Sequence, residues 1–222
     1  MIPKRGAGLI SATSFTDVHG RVTAEDAAPR GADMRDRDVR IAIRSQLEVA
    51  HAGDQDTRIV EEMGVWSGSV RVDLAVINGE LSGFELKSAK DTLSRLPQQA
   101  MLYSQVFDKM TIVTAENHLE GCLELLPDWW GIMLAYDDDD GSVSVNGLRS
   151  AQPNPTQSAM QIARLLWKDE AVAILDRHGL SKGYRSKSVH VIHQRLADEL
   201  PFDVLKSEIR SCLKAREHWL QS

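Results

Sequence analysis

Three charged side chains in the first half of the chain sit where charge is costly and where, together, they could do chemistry. VRVDLAVI (70–77) and GFELKS (83–88) are short, apolar and β-branched or aromatic, and each carries charge in its middle: Asp73 in the first, Glu85 and Lys87 in the second. Side chains alternate along a strand, so Glu85 and Lys87 share one face while Phe84 and Leu86 share the other. In the first strand the same alternation groups Val70, Val72, Leu74 and Val76 against Arg71, Asp73, Ala75 and Ile77. The intervening residues, Asn78 to Ser82, are few enough to make the strands antiparallel neighbours, with Asn-Gly supplying positive φ angles for a tight turn. Asp73 and Glu85 then meet on one face. Two close carboxylates repel, and a bound cation relieves them. With only oxygen ligands on offer, a hard ion such as Mg2+, or Mn2+ in its place, fits best. Such an ion polarises a phosphoryl oxygen and lowers the pKa of a water, while Lys87 orients that water and balances charge. The Leu86 carbonyl is a further ligand. The competing reading is a plain Asp–Lys or Glu–Lys ion pair on a solvated sheet face.

Elements that would position these groups can be read on either side. Val39, Ile43 and Leu47 recur at helical spacing, giving an amphipathic helix over 36–51 that Gly53 ends. RIVEEMGVW forms a strand before the two described. After them Ser88 or Asp91 caps a helix through Leu93, Leu96, Ala100, Tyr103 and Phe107, with Pro97 marking where its regular part starts. KMTIVTA (109–115) is a strand, HLEGCLELL a short helix, and WGIMLAY and SVSVNGL a hairpin around Asp137–Asp140. The front of the chain therefore reads helix, three-stranded antiparallel meander, helix, strand.

This order and its motif resemble the PD-(D/E)XK nuclease superfamily over 36 to about 115. RIVEEMGV, RVDLAVINGELSGFELKS, DTLSRLPQQ, YSQVFDKMTIVTA and KGYRSKS are similar to a group of small bacterial and phage proteins within it. The resemblance implies an α/β fold with a restriction-endonuclease-like core, a mixed sheet flanked by helices. It implies that Asp73 and Glu85 hold the metal and that Lys87 is catalytic. It implies also that an upstream acid completes the set, Glu62 or its neighbour Glu61; the two are expected on opposite strand faces, so only one can join, and Glu62 is favoured. Val72 stands where the superfamily's proline would be. Gln99 and Tyr103, four residues apart on one helix face, resemble the substrate-orienting motif of recombination-type and exonuclease-type members, with Gln98 as a substitute for Gln99; the alternative is a core tyrosine with a rim glutamine.

The rest of the chain frames this site. Residues 1–32, rich in Gly, Ala, Ser and Thr, read as an arm, 33–150 as the nuclease-like core, and 151–222, beyond the proline-broken QPNPTQ, as a helical unit. There Ile162, Leu165 and Leu166 begin an apolar face that Ala171, Ile174 and Leu175 continue to Gly179, and two more helices follow around Pro201. Of 26 Lys+Arg, 12 fall from Arg149 onward, but only 8 of 32 Asp+Glu do, so an acidic front adjoins a basic back. That division suits an enzyme holding a cation at one end and phosphates at the other, although a surface that merely varies would look the same. Lys182, Tyr184, Arg185 and Lys187 form a cationic turn suited to phosphates. His190 and His193 have ligand spacing but no third partner. A net charge of −6 argues against coating nucleic acid by bulk charge. Without an apolar run of bilayer length or a convincing signal peptide, and with only Cys122 and Cys212, the expected address is cytoplasmic, with no membrane partner and reduced thiols. The expected activity is metal-dependent hydrolysis of nucleic acid, DNA before RNA, by a chain that could act as an oligomer. The alternative is a nuclease-like binding or assembly module without turnover.

Overall fold

A computed structural model of the chain describes residues 34–66, 70–217 and 219. The proposed arm at 1–32 lies outside them. A six-stranded mixed sheet forms the centre: β1 (Arg58–Val65), β2 (Val70–Ile77), β3 (Leu81–Lys87), β4 (Lys109–Ala115), β5 (Gly131–Asp137) and β6 (Val143–Arg149), side by side in chain order. β1, β2 and β3 form an antiparallel meander, β3, β4 and β5 run parallel, and β6 returns antiparallel to β5. Parallel neighbours need a crossover. α2 (Leu96–Tyr103) supplies the first, and a 3-10 turn with α3 (Leu119–Leu125) the second.

α1 (Asp36–Ala50) covers one face of the sheet with Val39, Ile43 and Leu47, all buried against Leu74, Val76, Leu86 and Val113. Each such side chain contributes about 1.5–3 kcal/mol by leaving water. Asp36 and Asp38 in its first turn suit the positive end of the helix dipole. As expected, α1 ends close to Gly53, whose φ of 87° only glycine adopts freely. α2 and α3 cover the other face. So do four C-terminal helices: α4 (Ala159–Ala163), α5 (Lys168–Arg177), α6 (Val189–Glu199) and α7 (Phe202–Ala215). Ile174, Ile192, Leu196, Leu205 and Ile209 share one core with Val72, Ile77, Tyr103 and Phe107. The 152–157 segment is irregular, yet it is bonded to the sheet layer. Asn154 Nδ2 donates to the carbonyls of Ser104 (2.6 Å) and Phe107 (2.7 Å), and Gln157 Nε2 to that of Val106 (3.0 Å).

Four local expectations need correction. The apolar face read continuously from Ile162 to Leu175 belongs to two helices. The chain turns extended at Trp167, whose N–H is taken by Glu170 Oε2 (2.7 Å), so α5 starts afresh. The β2–β3 turn does not use positive φ at Asn-Gly. Asn78 Oδ1 accepts the Glu80 amide (2.9 Å) in a three-residue connection instead. The helix expected to reach Phe107 stops at Tyr103. Finally, the strict alternation in β2 breaks. Val70 and Val72 pack with Ala75 and Ile77, whereas Leu74 and Val76 face α1. The break lies opposite Glu62, a non-glycine residue at φ 51°, where β1 shifts phase as well, so that Val60 and Met63 enter the same core.

Candidate active site

The phase shift sets Asp73 at the point where β2 and β3 part. Their ladder runs from Ile77↔Leu81 to Leu74↔Phe84 and stops there. The Leu86 amide, left without a backbone acceptor from β2, donates to Asp73 Oδ2 (2.8 Å). Glu85 and Lys87 point to the α2 side, as their alternation requires, and both are buried. Lys87 Nζ donates to Glu85 Oε1 at 2.6 Å. α2 supplies the remaining partners: Gln99 Nε2 donates to Glu85 Oε1 (2.5 Å) and the Tyr103 hydroxyl to Glu85 Oε2 (3.1 Å) and the Arg71 carbonyl (2.6 Å). Gly83 lets the Met110 and Phe107 side chains pack onto β3, because a Cβ there would meet Met110 Sδ at 2.5 Å and Phe107 Cδ1 at 3.1 Å.

Asp73, Glu85, Leu86, Lys87, Glu62 and Gln99 all line one open cleft of about 480 Å³, together with Asp36, Arg71, Asp91, Arg95 and Gln98. Tyr103 lies fully buried beneath it. Leu86 reaches the cleft through its backbone, its side chain being packed under α1. Burial pushes the Asp73 carboxyl above its ordinary range, against the pull of the Leu86 amide and Arg40. Burial also raises Glu85, and repulsion from Asp73 raises it further, while Lys87 and Tyr103 pull it down. Tyr103 is raised by burial and then by the Glu85 charge, so its hydroxyl stays protonated as a donor.

Sequence reasoning missed Arg40. Its guanidinium pairs with Glu62 Oε1 (2.9 Å), Asp73 Oδ1 (3.0 Å) and Asp36 Oδ2 (3.2 Å), and donates to the Asp73 carbonyl (3.1 Å). Burial alone would lower its pKa, but the carboxylates of Asp73, Asp36 and Glu62 outweigh that and raise it. The available signal was the i,i+4 step from Asp36, which places the two on one helix face beside an acidic strand. The expectation that Glu61 and Glu62 point to opposite faces fails for the same backbone reason as the β2 alternation. The turn at Glu62 sends both toward α1, Glu61 to Arg44 and Glu62 to Arg40.

Among the described residues, no group of three or more His, Cys, Asp or Glu side chains is arranged to hold a metal ion. The donors suit a hard divalent ion all the same. They are oxygens, Glu85 is buried and Asp73 nearly so, Glu62 is half-exposed, and Asp73 and Glu85 repel. Arg40 supplies the balancing cation in this arrangement, and it would have to release Asp73 and Glu62 for an ion to take its place. Among the described residues lining the cleft, one buried side-chain atom has no partner: Gln99 Oε1, whose amide nitrogen is committed to Glu85.

Other candidates lie elsewhere. Lys182, Arg185 and Lys187 are exposed and outside the cleft lining, and Arg185 pairs with Asp176 (2.7 Å). Tyr184 lies beneath the Arg195 guanidinium rather than free to stack. His193 is buried on the Leu166 carbonyl (3.1 Å) and burial lowers its pKa, while His190 is exposed. Both cysteines are free thiols. Among the described residues no helix is long and apolar enough to cross a membrane.

Residues 30–220 match the family described as Bacteriophage P4 protein cII. The chain belongs to that family. It is 25% identical over 185 residues to Protein cII of Enterobacteria phage P4, an alignment covering 83% of this chain and 69% of the phage protein. A solved protein of unknown function from Silicibacter pomeroyi aligns with 72% of this chain and 96% of its own, at 18% identity and a TM-score of 0.37. That score is too low to argue from. None of these descriptions names a chemistry.

Proposed function

We propose that the cleft hydrolyses phosphodiester bonds in nucleic acid, DNA in the first instance, on a restriction-endonuclease-like core. The observation that carries this reading is the gathering of Asp73, Glu85, Lys87 and Gln99, from three successive elements, in one open cleft. The order α1-β1-β2-β3-α2-β4 around it agrees with such a core. Asp73, Glu85 and the Leu86 carbonyl, completed by Glu62, would hold Mg2+ or Mn2+, which polarises a phosphoryl oxygen and makes water a better nucleophile. Lys87, steered by Glu85, balances the charge that develops on the phosphate. Gln99, which lines the cleft and carries a buried acceptor without a donor, would help to position the substrate. Tyr103 fixes Glu85 from below.

A second reading draws on a specific feature. Arg40 already pairs with Asp36, Glu62 and Asp73, as a permanent internal cation would in a nucleic-acid-binding module without turnover. Incubation of labelled DNA and RNA with the purified protein and Mg2+ or Mn2+ separates the two. Hydrolysis requires cleavage that chelation stops and that Lys87→Ala slows by about 10²–10³-fold. Binding without cleavage under every metal condition would leave the module reading.

A further inference from the structure

We infer that Arg71 and Arg95 form a clamp at the mouth of the cleft for the phosphates of a nucleic-acid backbone, on either side of the one held at Lys87. This rests on the nucleic-acid reading above, though not on turnover.

Every carboxylate lining the cleft already has an inner partner. Asp36, Glu62 and Asp73 share Arg40. Glu85 takes Lys87, Gln99 and Tyr103, and Asp91 accepts the amide (2.7 Å) and hydroxyl (2.6 Å) of Ser88. Arg71, on β2 two residues from Asp73, and Arg95, the residue before α2, line the same cleft and are exposed. Neither side chain makes a hydrogen bond, ion pair or ring contact with any described residue. Most other arginines here are engaged, including Arg44, Arg58, Arg149, Arg164, Arg177, and Arg216. Two guanidiniums without a partner among the described residues thus stand at the rim, over carboxylates whose hydrogen bonds and ion pairs are directed inward. A planar fork of donors matches the paired oxygens of a phosphate, as it does those of a carboxylate. Their backbones are fixed independently: the Arg71 carbonyl accepts the Tyr103 hydroxyl, and the Arg95 carbonyl accepts the Gln99 amide (3.0 Å). A phosphate would therefore meet forks mounted on rigid elements. The cationic turn at Lys182 and Lys187, outside the cleft lining, is the rival location.

The test is fluorescence anisotropy with labelled single-stranded DNA and its duplex, across a salt series in EDTA and in Mg2+, with gels run alongside. Arg71→Gln/Arg95→Gln is compared with wild type and with the charge-matched Lys182→Gln/Lys187→Gln. Each lost phosphate contact lowers the slope of log affinity against log salt by about 0.7 on a single strand. The clamp variant is expected to lose about 1.4 in slope and roughly tenfold in affinity at 0.1 M salt, with the turn variant near wild type. A clamp variant with wild-type slope, or an equal loss in both variants, overturns the clamp. Wild type that cuts while the clamp variant binds unchanged keeps the hydrolysis reading and sinks this one. Wild type that binds through Arg71 and Arg95 without cutting does the reverse. Absence of any binding overturns both.

Discussion

Two regions of the molecule bury acid beside base, and they differ in what is left over. At the joint between the β3–β4 crossover and the C-terminal helices, Asp108 accepts the Leu81 amide (2.7 Å) and the Gln157 side chain (3.1 Å), and pairs with Lys206 and Arg210. There one carboxylate gathers two cations and two hydrogen-bond donors from other elements, beside a smaller pocket of about 330 Å³, and the result is a rivet. In the cleft the inner carboxylates are crowded enough that burial and mutual repulsion raise Asp73 and Glu85, an acceptor on Gln99 is orphaned, and two rim arginines stay unpaired. Ion pairing in itself therefore marks neither place as functional. What sets the cleft apart is a pair of raised carboxyls beside an unanswered acceptor.

That contrast can be broken or sharpened by substitution. The largest effect belongs to Lys87→Ala, expected to cut metal-dependent cleavage by about 10²–10³-fold, read in single-turnover assays, with the circular dichroism spectrum unchanged. Next is Asp108→Ala, which strands two cations. It should cost about 3 kcal/mol, or roughly 6–12 °C in thermal midpoint, while cleavage per folded molecule stays at the wild-type level. If Asp108→Ala silences activity without destabilising the fold, the distinction between rivet and site is lost. Arg40→Gln comes third. Without metal its thermal midpoint should fall, because three carboxylates lose their counter-charge, and Mg2+ should raise that midpoint more than in wild type by mass action. An Mg2+ response no greater than wild type's would show that Arg40 does not stand in the ion's place.

Smallest is the pH dependence of stability. Asp73 and Glu85 have folded pKa values above their unfolded ones, so the folded state holds their protons more tightly. The stability they contribute is present below the ordinary carboxylate range and is lost as pH rises through the folded values. Asp73→Asn keeps an acceptor for the Leu86 amide and leaves Arg40 with Asp36 and Glu62, so it should flatten this trend. At neutral pH it should raise the thermal midpoint by a few degrees at most, measured by calorimetry across a pH series. A lowered midpoint would mean that Arg40 depends on Asp73 more than on the other two acids.

Much of this was legible from residue type and period. Charge inside apolar strands exposed Asp73, Glu85 and Lys87, and a four-residue step placed Gln99 and Tyr103 together beneath Glu85. The helix–meander–helix–strand order followed from periodicity and turn residues. What stayed hidden depends on distant parts of the chain. The left-handed backbone at Glu62 is not written in its side chain, and it re-aims Glu61, Val72 and Asp73 together. Arg40 sat on a helix read only for its apolar stripe, and its role appears once α1 is laid over β1 and β2. Arg95 precedes a helix whose true start at Leu96 shortens the element that Leu93 had been read into.

The most direct test is calorimetric titration of Mg2+ and Mn2+ into the wild-type protein and into Asp73→Asn/Glu85→Gln. The account predicts saturable binding to wild type that the double substitution removes, with the fold retained. Identical heats from the two proteins, or none from wild type at millimolar metal, would contradict it.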